Sequence, residues 1–110
     1  MARKPQRLYP EVHLQPDKPL NEREWQRLVL KWARDLGWDV QTISFSPYST
    51  RGILDAQLCR PPRYMQVEFK TDRGRLRPEQ EKWIENLRAC GIEVHVWRPR
   101  DEQLVLGWLR

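Results

Sequence analysis

The sequence predicts one small α/β domain, ordered helix, three strands, helix, strand and a short final helix, with a mixed central sheet flanked by helices. Three observations carry that expectation. Two stretches have apolar residues at helical spacing and stop at a glycine. Four shorter stretches have the apolar patterning of strands. The second and third of these are separated only by Arg60-Pro61-Pro62-Arg63, a link short enough to make an antiparallel hairpin.

Residues 1–20 precede the first helix and contain Pro5, Pro10, Pro16 and Pro19 with no sustained period. They read as an extended, proline-rich arm carrying Arg3, Lys4, Arg7 and Lys18, and residues 21–110 as the domain. Asn21 suits an N-cap, and Glu24 three positions on completes a capping box. Trp25, Leu28, Val29, Trp32, Ala33 and Leu36 then recur on one helical face, and Gly37 ends the helix. A strand follows from Trp38 to Phe45, with Val40, Ile43 and Phe45 as its apolar members. The polar loop 46–52, which includes Ser49 and Arg51, leads to a strand over Ile53–Cys59. Pro78 suits the first position of a second helix, in which Trp83, Ile84 and Leu87 have core spacing before Gly91. Ile92–Trp97 is the last strand, with His95 on its more polar side. Asp101–Arg110 closes the chain as a short helix with Leu104, Leu106 and Trp108.

Length and composition bound the function classes. A chain of 110 residues builds one modest core, and no apolar run is long enough to cross a bilayer. The N-terminus lacks the hydrophobic stretch of a signal peptide, so the expected location is the cytoplasm. Cys59 and Cys90 lack zinc-ligand spacing and are expected to be buried thiols. The net charge of +5 and a pI near 9.6 suit a polyanionic partner.

The chemistry concentrates in Gln66-Val67-Glu68-Phe69-Lys70-Thr71. Its period-2 alternation predicts a half-buried strand with Met65, Val67 and Phe69 on one side and Gln66, Glu68 and Lys70 on the other. Glu68 and Lys70 then lie about 7 Å apart along one face. With Arg60–Arg63 as the loop, Cys59 faces Tyr64 and Asp55 faces Glu68. Two opposed carboxylates repel, and a divalent cation between them removes the repulsion and supplies a Lewis acid. Gln80 occupies a position on the second helix where the apolar stripe would continue, so a polar partner is expected for it. Arg77 takes that helix's cap position, and with Arg73 and Arg75 it makes a candidate phosphate seat. Ser49 and Arg51 are further candidates for phosphate contact. Each basic or polar loop is equally consistent with an ordinary solvated connection.

Gly52-Ile53-Leu54-Asp55, Glu68-Phe69-Lys70 and Pro78-Glu79-Gln80 together resemble the PD-(D/E)XK nuclease superfamily, and more narrowly its small stand-alone VRR-NUC endonucleases of the phage type. The similarity runs from about Asn21 to Asp101. Glu22 and Gln26 look like the family's first-helix pair, and Ser49 like the serine before its glycine turn. Leu54 departs from the family pattern, which usually has proline before the aspartate.

The resemblance implies a metal-dependent DNA endonuclease of a bacterial or phage-infected cell. Asp55, Glu68 and the carbonyl of residue 69 would hold Mg²⁺ or Mn²⁺, and Glu22 would complete the site directly or through water. Lys70 would position the attacking water and Gln80 would orient Lys70 or the water. Glu24 competes with Glu22 for that role, although capping suits it better. The stand-alone type further implies a homodimer acting on Holliday junctions, flaps or other branched DNA, with no organic cofactor. The competing reading is an inactive nucleic-acid-binding module or accessory subunit of the same fold.

Overall fold

The computed structural model describes residues 19–43 and 52–110. Most of the basic arm, Phe45, Ser49 and Arg51 lie outside the described residues. Among those described, α1 spans Glu22–Asp35, β1 Asp39–Thr42, β2 Ala56–Arg60, β3 Arg63–Phe69, α2 Pro78–Ala89, β4 Glu93–Trp97 and α3 Glu102–Leu109. A 3-10 turn over Pro99–Asp101 leads into α3.

The capping expectations for α1 are met. The Glu24 amide donates to Asn21 Oδ1 at 2.8 Å, and the Asn21 amide donates to Glu24 Oε1 at 3.2 Å. Gly37 follows the helix at φ +90°, a conformation that side chains with a Cβ resist. Trp25, Val29, Leu30, Trp32 and Ala33 face inward.

The sheet order is β1-β2-β3-β4. The first three strands form an antiparallel meander, and β4 returns parallel to β3 after α2. Cys59 pairs with Tyr64, in the expected hairpin register. The turn is tighter than expected, because Arg60 and Arg63 also pair and leave only the cis Pro61-Pro62 unit outside the ladder. β2 begins at Ala56, not Ile53, and β1 is only four residues long. Backbone pairing still continues past their ends, since the Ile43 amide donates to the carbonyl of Asp55 at 3.0 Å.

Two clusters of buried side chains cover the two faces of the sheet. On one, α1 and α3 pack against Ala56, Leu58, Met65, Val67, Phe69 and Trp97. On the other, Ile84 and Leu87 of α2 pack with Leu54 and Val94, so α2 covers the β3–β4 half. Four of the six tryptophans are buried, and two indole N–H groups are satisfied by distant carbonyls: Trp25 to Trp97 and Trp38 to Leu109, both at 2.9 Å.

The sequence expectations for Trp83 and Cys90 are corrected here. Trp83 has core spacing on α2 but is 45% exposed, because only the Gln80–Ile84–Leu87 stripe reaches the sheet. On α3 the buried residues are Val105, Leu106 and Leu109, while Leu104 and Trp108 face outward. Cys90 is exposed rather than buried. His95 stacks between Trp97 and Trp108, with ring centroids 5.2 and 4.5 Å away. Burial holds its pKa below the usual histidine value, against the raising effect of Glu93.

The arginines flanking the diproline turn are spent on structure. Arg60 donates to the carbonyls of Leu36, Leu109 and Arg110, and Arg63 to that of Trp108. Both guanidinium groups lie over the Trp38 ring. They satisfy the open carbonyls at the end of α3, where a cation is also favoured by the helix dipole.

Gly52 sets the entry to the Asp55 segment. It has φ +89°, and a Cβ there would lie 2.8 Å from the carbonyl oxygen of Glu79, in the first turn of α2. Gly52→Ala is therefore expected to cost about 2–4 kcal/mol, from positive φ and overpacking together. Gly91 shares a positive φ, +81°, with open space around it, so Gly91→Ala should cost only about 1 kcal/mol. Thermal melts of the two variants check the contrast.

Candidate active site

Glu68 lies on the face of β3 that the period-2 pattern made polar, yet it is only 3% exposed. The half-buried strand of the sequence reading is thus buried on both faces at this residue. α2 is the reason. Gln80 Nε2 donates to Glu68 Oε2 at 2.8 Å, while the Arg77 amide donates to Gln80 Oε1 at 3.0 Å. The Gln80 carboxamide therefore ties the start of α2 to the carboxylate of β3, which accounts for a polar side chain in an apolar stripe.

Asp55 precedes β2 by one residue, and its Oδ2 accepts from the Phe69 amide at 2.7 Å. That bond draws its carboxylate to the end of β3 beside Glu68, although Asp55 is not itself a strand residue. Lys70 follows directly. Its Nζ lies 3.4 Å from Glu68 Oε2, with its side chain 14% exposed, and its amide donates to the Trp97 carbonyl. Asp55, Glu68, Lys70 and Gln80 are accordingly brought together at one end of the sheet.

The charges in this group are unbalanced. Burial, with the neighbouring Asp55 charge adding to it, pushes the Glu68 pKa up to about 7. Lys70 and the Gln80 hydrogen bond oppose this only in part. Asp55 is also raised, mainly by burial, against the Phe69 amide and Lys70. Glu68 Oε1 is buried and has no hydrogen-bond partner among the described residues. An orphaned carboxylate oxygen facing a second carboxylate is the donor set that a hard divalent cation takes, so the residues present fit such an ion.

The same imbalance sets a pH dependence for the cation-free protein. A carboxyl whose folded pKa is raised favours folding while it is protonated. Its contribution is full below about 4.5, the ordinary glutamate value, and is lost as pH rises through about 7. Stability measured in chelator should fall by up to about 3 kcal/mol across that window. Denaturant titrations at pH 5 and pH 8 test this, and added Mg²⁺ should recover most of the loss at pH 8.

Glu22 does not join the pair as a third close carboxylate. It is exposed in the first turn of α1, which packs on the opposite face of the sheet. Among the described residues no three His, Cys, Asp or Glu side chains group as a metal cage. The N-terminal part of α1 does reach the same end of the sheet, through the Trp25 bond to the Trp97 carbonyl. Gln80 and Lys70 meet at Glu68, since both lie against its Oε2.

Arg73, Arg75 and Arg77 are exposed in the link between Lys70 and α2. Arg77 occupies the N-cap without capping through its side chain. Two residues that the sequence did not single out organise this link. Arg98 Nη1 donates to the carbonyls of Thr71 at 2.6 Å and Gly74 at 2.5 Å, and the Arg100 amide donates to Asp72 Oδ1 at 2.9 Å. Their only sequence signal is a cationic cluster just after β4.

Comparison with known proteins agrees with this architecture. The VRR-NUC domain family matches residues 48–101. A solved VRR-NUC domain structure is 26% identical and superposes with a TM-score of 0.59, covering 68% of this chain and 81% of that one. No curated protein matches the sequence. Among the described residues no helix is long and apolar enough to cross a membrane. The chain therefore carries a VRR-NUC domain, of the PD-(D/E)XK nuclease superfamily, with the nuclease-type function that this domain implies.

Proposed function

We propose that the protein is a divalent-cation-dependent DNA endonuclease whose reaction centre is Asp55, Glu68 and Lys70, with Gln80 behind them. The observation that carries this reading is the buried carboxylate pair, in which Glu68 Oε1 has no hydrogen-bond partner among the described residues. A structural sheet gains nothing from such a pair, whereas a cation site requires it.

Asp55 and Glu68 would hold Mg²⁺ or Mn²⁺, with Glu22 contributing through water from the end of α1. The bound cation supplies a Lewis acid for the scissile phosphate. Asp55 is fixed by the Phe69 amide, and Glu68 by Gln80, so the two carboxylates are oriented before substrate arrives. Lys70 holds the attacking water at the phosphate and offsets the negative charge that grows there. Arg73, Arg75 and Arg77, with Ser49 and Arg51, would track the flanking phosphates.

The substrate class in this proposal is branched DNA, cut by a symmetric homodimer in the cytoplasm. One domain of this size offers one carboxylate pair, and a two-fold dimer offers two strands two such sites. Leu104 and Trp108, 60% and 42% exposed on one side of α3, give an apolar surface suited to self-association. The test is cleavage of linear duplex, flap and four-way junction by the pure protein with Mg²⁺ or Mn²⁺. The junction or flap should be cut fastest, by a species of twice the chain mass in light scattering. Equal cutting of all three by a monomer removes the structure selectivity, and DNA binding without cutting of any of them leaves a binding module.

A further inference from the structure

Lys70 leaves β3 into a tight turn. The Gly74 amide donates to the Thr71 carbonyl at 3.2 Å and closes that turn. A Cβ on Gly74 would lie 3.0 Å from Thr71 Oγ1 and 3.5 Å from Lys70 Cδ. The turn therefore runs beside the aliphatic stem that carries the ammonium group, with about a methyl group's width between Gly74 and Lys70 Cδ.

A single nitrogen holds both ends of this turn. Arg98 Nη1 donates to the Thr71 and Gly74 carbonyls at 2.6 and 2.5 Å. Arg98 follows Trp97, whose carbonyl accepts from the Lys70 amide, so the arginine leaves β4 just where the lysine leaves β3. The tip of the turn is tied separately, by Asp72 to the Arg100 amide. The Thr71 carbonyl also accepts from the Gly74 amide, and a charged donor bonding both carbonyls is among the stronger local restraints available.

From this geometry we infer that Arg98 is a positioning residue for Lys70: it clamps the Thr71–Gly74 turn in place beside the lysine stem and so limits the positions the ammonium can take next to Glu68. The inference rests on the proposed catalytic use of Lys70, but the clamp itself can be read without any cleavage. Arg98 touches neither carboxylate in this arrangement, and its Nη1 is committed to backbone carbonyls rather than to phosphate.

The test compares wild type with Arg98→Met, Arg98→Lys and Gly74→Ala in two measurements. The first is the rate of reductive methylation at Lys70 without DNA, read by mass spectrometry of the peptide. Arg98→Met should methylate severalfold faster than wild type, since the turn opens locally. Arg98→Lys should stay near wild type, because one ammonium can reach both carbonyls. The second is single-turnover plasmid cleavage with Mg²⁺ or Mn²⁺. Arg98→Met should be slower by about 10–100-fold, as expected for a misplaced catalytic group, with DNA affinity in chelator held within about threefold. Gly74→Ala, whose Cβ would fill the space between the turn and Lys70 Cδ, should instead slow methylation, and it tests the turn's hold on the lysine if Arg98→Met does not fold. Folded Arg98→Met or Gly74→Ala protein with unchanged Lys70 methylation overturns the inference. If wild type fails to cut while the methylation differences hold, the nuclease reading falls and the clamp stands.

Discussion

Glu68→Gln is expected to abolish cleavage and, in chelator at pH 8, to make the protein more stable. The two effects have one cause. Glu68 is buried beside Asp55, and burial pushes its pKa up to about 7, so at pH 8 the fold carries two carboxylates against the single charge of Lys70. Glutamine keeps the size of the side chain and presents an N–H₂ group that can donate to Asp55. The gain should be on the order of 1–2 kcal/mol, less than the full cost of ionising Glu68 because the pairing with Lys70 is lost. Cleavage should fall by about 10³-fold or more, since an amide is a poor replacement for a carboxylate on a hard cation. Added Mg²⁺ should raise the melting temperature of wild type and leave the variant's unmoved. Urea melts with and without Mg²⁺, beside a plasmid assay, read all three. A variant that is destabilised and still responds to Mg²⁺ would place the cation elsewhere.

Lys70→Ala should leave a protein that binds DNA and does not cut it. The side chain is mostly buried and its ammonium is directed at Glu68, so its loss removes one charge among twenty basic residues from the DNA-facing total. Affinity should change by less than about threefold at physiological salt. Cleavage should fall by about 10²–10⁴-fold, the range for a group that positions and activates the nucleophile. Losing the lysine also removes the cation that holds the Glu68 pKa down, so the optimum pH for Mg²⁺ binding should move upward. Gel shift in chelator and single-turnover cleavage separate binding from chemistry. Cutting by Lys70→Ala at close to the wild-type rate would remove Lys70 from the mechanism.

What could be read from the sequence follows from how local each signal is. The Asn21–Glu24 capping box, the glycine stops and the hairpin register each depend on residues a few positions apart, and all are present. The Asp55–Glu68 pairing was legible for the same reason, because a diproline turn fixes which residues face each other. Gln80 stood out as a polar residue in an apolar stripe, although its partner could not be read from spacing alone.

The misreadings are tertiary in origin. Periodicity shows that Trp83 shares a helical side with Ile84 and Leu87, but not how wide a strip of α2 meets the sheet. On α3 the buried set depends on where α1 lies, which places Val105 and Leu109 inward and Trp108 outward. The burial of Glu68 depends on α2 covering only the β3–β4 half of that face. Arg60, Arg63 and Arg98 carry no local mark of a structural role, and each is spent on carbonyls 24 to 50 residues away. No short window of sequence carries that information.

The most direct test of the central claim is supercoiled plasmid incubated with wild type and with Asp55→Asn, each in Mg²⁺, in Mn²⁺ and in chelator. Asp55 is the better probe because asparagine keeps an oxygen for the Phe69 amide and so preserves the anchor of the site. The account predicts nicked or linear product only from wild type, only with a divalent cation, and undiminished DNA binding by the variant. Cleavage by wild type in chelator, or by Asp55→Asn at the wild-type rate, would contradict it.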